Sequence, residues 1–156
     1  MTVNREPWPR LWPLLLPLSY LIHLAEEQWG GGGFAAWASS ALSAPLTESR
    51  FLVINAVAWP LVLVVCGIAI IRPALSWPVL VVAALLTLNG ALHVLGSLVT
   101  SSYSPGAVSG GLVYLPLGLV TLLWGRRTAT PGAFLAALLV GVVLHAVVAV
   151  VAFGGG

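Results

Sequence analysis

The chain has 156 residues, 60% of them hydrophobic and 6% charged, with a mean hydropathy of +1.06 and a formal net charge of +2. Soluble domains carry about 25% charged residues, so this composition excludes a soluble globular domain and describes an integral membrane protein, read as a single transmembrane domain over residues 1–156. Six Arg, four Glu and no Lys or Asp, scattered along the chain, give no basic patch for nucleic acid, and the lone cysteine, Cys66 in an apolar run, cannot form an intrachain disulfide.

Five apolar runs follow in chain order, each near the roughly 20 residues that cross the hydrocarbon. The first, 11–29, carries Pro13 and Pro17 near its start, which predicts a kink or a late helix start. It does not read as a signal peptide, because it is proline-studded, holds two carboxylates and lacks a small-residue cleavage site. Gly30–Gly33 ends it, and "FAAWASSAL", 34–42, predicts a short interfacial helix around Trp37. The second run, 51–71, contains Pro60 and the fourth, 108–124, contains Pro116, so both are expected to bend. Between them lie the third run, 77–99, and the segment "SSYSPG", 101–106, whose Pro105-Gly106 is a turn signal. The fifth run is 132–153, and the glycines after it predict a loose tail. The expected fold is all-α, an integral membrane bundle of about five transmembrane helices.

With five crossings, Arg5, Arg10, Arg72, Arg126 and Arg127 share one side and Arg50 stands alone on the other. Five against one predicts a cytoplasmic N-terminus and an external C-terminus in the cell membrane. Trp8, Trp12, Trp77 and Trp124 fall at the arginine-rich ends of the runs and Trp29 at the opposite end, the pattern of an aromatic belt.

The polar residues inside the runs share a depth. His23, Asn55, Asn89, His93 and His145 all fall about 18–24 Å from the arginine-rich face at about 1.5 Å per residue. His23, Glu26 and Glu27 project within an arc of about 100°, and Asn89 and His93, four apart, share a face. Ionisable groups facing lipid cost several kcal/mol, so these faces are expected to point inward and meet in one intramembrane site. All three histidines and half the acids of the chain belong to this set. Neutral imidazole and carboxylate together suit a divalent metal, zinc or iron first. The ligand candidates are His23, Glu26, Glu27, His93 and His145, with a glutamate not engaged as ligand serving as general base or orienting a histidine. Asn55 and Asn89 read as substrate contacts or supports of the ligands, or simply as hydrogen-bonded helix contacts. Tyr103 places a phenol over the outer mouth of the site as donor or substrate contact, or marks a helix start with an interfacial tyrosine.

The pattern His23-x-x-Glu26-Glu27, followed by Asn89-x-x-x-His93, Tyr103-x-Pro105-Gly106 and His145, resembles the HXXEE family of small integral membrane proteins over roughly 20–150. That resemblance implies a shared site on hydrophobic spans and no particular reaction. Three functions stand open. The first is a membrane-embedded, metal-dependent enzyme acting on a lipidic or apolar small molecule, with glutamate moving protons. The second is a metal-free His/Glu acid–base isomerase or cyclase of a terpenoid, sterol-like or polyketide substrate. The third is a non-enzymatic carrier or partner subunit. The near absence of polar groups in the arginine-rich half, apart from Ser76, Thr87 and Thr121, argues against conduction and for access from the outer half or from lipid.

Overall fold

The structure, a computed structural model, describes residues 8–154; Arg5 and the last two glycines lie outside the described residues. All regular structure among them is helical. The helices are α1 (Leu15–Trp29), α2 (Phe34–Ala41), α3 (Glu48–Ile71), α4 (Trp77–Thr100), α5 (Ala107–Gly125) and α6 (Pro131–Phe153). Four of them, α3 to α6, are long and apolar enough to cross a membrane. The architecture is that of a helical membrane bundle.

The first apolar run forms a shorter helix than its length promises. Pro13 sits in a 3₁₀ turn, Trp12–Leu14, and the α-helix starts only at Leu15. Pro17 falls in the first turn, where its missing N–H costs nothing. Turn and helix together still run the length of α5. At one end the Trp12 indole donates to Thr121 Oγ1 at 2.8 Å and its ring lies 4.6 Å from that of Trp124; at the other Glu26 meets the backbone of Val108. Pro60 lies within an unbroken α3, and the Trp59 indole beside it donates to the Pro17 carbonyl at 3.0 Å, tying α3 to α1.

α4 is the axis of the bundle. Half of its apolar window is buried, against 11% for α6 and 17% for α3, whose outward faces are Leu, Ile and Val. Val79, Leu80, Ala83 and Leu86 of α4 pack with Leu16 and with Cys66, which is a buried free thiol as the sequence predicts. α5 opens with a short α-helical stretch, Ala107–Ser109, followed by a π turn, Gly110–Tyr114. There Gly110 meets Gly90 of α4 so closely that a Cβ on Gly110 would lie 3.1 Å from the Gly90 backbone. Small residues let backbones approach in this way in apolar bundles, and the extra residue of a π turn rotates the start of α5 relative to its end.

Arg50, the lone basic residue of its end, donates from Nη1 to the Ala152 carbonyl at 3.2 Å, where α6 ends with unpaired carbonyls. The interfacial helix read over 34–42 is present as α2, capping the same end. Its Trp37 indole donates to Ser102 Oγ at 2.9 Å and so holds the segment between α4 and α5.

Candidate metal centre

One turn of α1 divides its polar residues between two faces. His23 and Glu27 are four apart and point the same way, toward α4. There the His93 Nε2 lies 3.1 Å from Glu27 Oε1, and the His23 Nε2 lies 3.6 Å from the same oxygen. All three residues are buried, and one ligand atom from each lies within 4.8 Å of the others.

The far nitrogens of both imidazoles are held by serines. His23 Nδ1 pairs with Ser109 Oγ at 2.8 Å, and His93 Nδ1 pairs with Ser104 Oγ at 3.1 Å. When Nδ1–H donates to the serine, the Nε2 lone pair faces Glu27, the tautomer a metal ligand requires. The rings are also fixed by packing. Tyr114 stacks on His23 at 4.2 Å, His23 meets His93 edge-on at 4.9 Å, and Phe34 lies 4.8 Å from His93. Gly106 closes the top. Its φ is +99°, and a Cβ there would stand 2.8 Å from both His23 Cε1 and His93 Nδ1. Only glycine fits a backbone pressed onto two imidazoles in the left-handed region.

Glu26 faces away from the pair and toward the N-terminus of α5. Its carboxylate accepts from the Val108 N–H at 2.9 Å, the Ser109 N–H at 2.6 Å and the Tyr103 hydroxyl at 2.6 Å. A carboxylate on the free amides of a helix start satisfies both hydrogen bonding and the helix dipole. Burial, together with the bond to Glu26 and its charge, pushes the Tyr103 phenol up to about 12, so it stays a donor.

The sequence-predicted site residues therefore fall into two groups. His23, Glu27 and His93 come together. Glu26 and Tyr103 form a latch beside them, where Glu26 is engaged by amides instead of the imidazoles. His145 stands half-buried on peripheral α6, outside the three-residue cluster. Asn55 bridges helices, accepting from the Tyr20 hydroxyl at 2.7 Å and donating to the Phe51 carbonyl at 2.9 Å. Asn89, one turn below His93, has a buried Oδ1 without a hydrogen-bond partner. The sequence reading missed Ser104, Ser109, Tyr114 and Phe34. The first two flank Pro105-Gly106 closely enough that the turn could have pointed to them.

Among the described residues, the buried His23 Nε2 also lacks a hydrogen-bond partner. A buried imidazole nitrogen aimed at a carboxylate oxygen, beside a second imidazole, is the donor set that divalent zinc or iron takes: two histidines and one carboxylate with coordination positions left over. The residues fit such an ion. Beside Glu27 lies a cavity of about 280 Å³ between α1, α2 and the start of α3.

A family model described as proteins of unknown function with an HXXEE motif matches residues 14–121, well over half of the chain. No curated protein and no solved structure matches it.

Proposed function

The chain belongs to the HXXEE family, and from the site that its motif builds we propose that it is a membrane-embedded metalloenzyme acting on an apolar small molecule. The observation that carries this reading is the convergence of the His23 and His93 Nε2 atoms on one oxygen of Glu27, with each Nδ1 anchored to a serine. His23, His93 and Glu27 hold the ion, which supplies Lewis acidity toward a substrate oxygen. Ser104 and Ser109 keep the imidazoles in the ligating tautomer. Gly106 and Tyr114 exclude water from one side, leaving the cavity beside Glu27 as the approach for substrate. Arginine bias supports an N-terminus on the cytoplasmic side, which puts this cavity in the outer half of the membrane. The partners are then membrane lipid and an apolar substrate.

One contact favours a second reading. At 3.1 Å from Glu27 Oε1, His93 Nε2 donates to the carboxylate in the tautomer that carries its proton on that nitrogen. Such a pair can hold a proton on imidazole and remove another with carboxylate, the requirement of an acid–base isomerase or cyclase.

Elemental analysis of the detergent-purified protein beside His93→Ala separates the two. Stoichiometric zinc or iron in the wild type, lost in the variant, is the expected result. Folded wild-type protein that stays metal-free when supplied with both ions overturns the metal reading and leaves the acid–base pair.

A further inference from the structure

The two adjacent glutamates of the motif point different ways, yet the one turned from the imidazoles still reaches them. Residues 103–109 form a turn above the two histidines, and three of these residues touch the rings. Ser104 bonds His93, Ser109 bonds His23, and Gly106 lies against both. The turn is braced within itself. The Ala107 N–H donates to the Ser104 carbonyl at 2.9 Å, and the Gly110 N–H to the Gly106 carbonyl at 2.7 Å. A braced turn is placed by whatever grips its ends, and Glu26 grips both. Its Oε1 accepts from the Tyr103 hydroxyl at the first end, and its two oxygens accept from the Val108 and Ser109 amides at the last. Such bonds to a carboxylate are charge-assisted and roughly twice as strong as neutral ones. One further bond, from the Ser104 N–H to Ser97 Oγ at 2.9 Å, ties the first end to α4.

The glycines after α1 make room for this grip. A Cβ on Gly30 would stand 2.9 Å from the Tyr103 hydroxyl, and one on Gly31 2.8 Å from the Tyr103 ring. Gly30 has an extended backbone, φ −75° and ψ 133°, open to any residue. Its missing side chain therefore serves the reach of Tyr103 and not the course of the chain. From the two gripped ends and the three ring contacts between them, we infer that Glu26 is a positioning residue of the centre, setting the orientation of His23 and His93 through Ser109 and Ser104. The inference rests on the proposed function only in taking these imidazoles as metal ligands. It divides the paired carboxylates into a ligand, Glu27, and a clasp, Glu26. It also ranks the histidines. Ser109 is bonded to Glu26 by its own N–H, so His23 depends on the carboxylate most. Ser104 is held through neighbouring Tyr103 and by Ser97, so His93 is the ring that loss of the phenol bond reaches.

The test records imidazole nitrogen-15 shifts of the tag-free full chain in detergent, first without metal and then during a zinc titration. The chain holds only three histidines, so the rings are resolved singly. Glu26→Gln keeps the volume and sets an amide donor among N–H and O–H donors. It is expected to shift His23 most and His93 as well, and to weaken zinc binding by about 10–100-fold, the cost of losing a supporting contact. Tyr103→Phe and Gly30→Ala cut the phenol bond from opposite sides. Both are expected to shift His93 more than His23, and the double variant to do no more than either alone. A folded Glu26→Gln with wild-type imidazole shifts and zinc affinity overturns the inference and leaves Glu26 a cap of α5. If that variant does not fold, unshifted imidazoles in both Tyr103→Phe and Gly30→Ala overturn it. Wild-type protein that takes up no zinc overturns the metal reading alone, because the shifts recorded without metal still decide whether Glu26 positions the rings.

Discussion

At the arginine-rich end of the bundle Trp12 packs at a tilt against Trp124, and Val79, Leu80 and Ala83 of α4 are packed with almost no accessible surface. At the other end the same helices carry His23, Glu27 and His93, with two serines and a glycine turn fitted around them. The difference is one of what the residues compete against. Apolar packing in one half tolerates other apolar side chains of matching volume at modest cost. The polar half requires particular atoms, because each buried donor or acceptor left unpaired costs about 1–3 kcal/mol. Stability and site are thus carried largely by opposite ends of the same four helices, α1 and α3 to α5.

The sharpest way to break this comparison is Glu27→Gln. The amide keeps the volume and removes the anionic ligand, so metal affinity is expected to fall by more than about 100-fold, beyond what loss of a supporting contact costs. Metal titration checks this, and unchanged affinity would sever the cluster from metal binding. Next comes Gly106→Ala. Its Cβ collides with both imidazoles and its φ is unfavourable, so a cost of about 1–3 kcal/mol is expected together with weaker metal binding. Gly132→Ala at the opposite end meets nothing within 4 Å and is expected to leave stability level or raise it by up to about 1 kcal/mol. Denaturation of the two variants side by side reads the contrast directly. Ser104→Ala and Ser109→Ala should each weaken metal binding by about 10–100-fold, with the helical circular dichroism unchanged. The smallest effect is expected from Trp12→Phe, which removes the bond to Thr121 while keeping the aromatic contact. About 1 kcal/mol of stability is lost and metal affinity stays as it was; a change in affinity would mean that the two ends are coupled.

Much of this was legible in the residues. Hydropathy marks the four long helices, and proline placement predicts the late start of α1. Equal depth and four-residue spacing bring out His23, Glu27 and His93. The choice between Glu26 and Glu27 was not legible. Adjacent helical residues diverge by about 100°, and which of them meets imidazole depends on how α1 is rotated against α4, where His93 stands. His145 lies within electrostatic reach of His93 and Glu27, but it stands on α6, the most peripheral of the four long helices, outside the three clustered ligand atoms. Ser104 and Ser109 are common residues in a loop and a helix start, and only the folded turn puts their hydroxyls on the histidines.

The hydrogen-bond partners of α1's polar turn stand far along the chain. Val108 and Ser109 follow Glu26 and His23 by 82 and 86 residues. At ~5–20 residues per second of synthesis, α1 waits on the order of 4–17 s before they exist. During that time two carboxylates near the end of α1 have only water or headgroups to bind, and an unpaired acid within a membrane segment opposes its insertion. The first helix is therefore expected to settle in the bilayer only once α4 and α5 arrive. In a Cys66→Ala background, ribosome-bound chains halted before His93 should leave a cysteine placed near Glu27 open to a water-soluble thiol reagent, and the complete chain, released from the ribosome, should protect it. Protection in the shorter chains would mean that α1 inserts unaided.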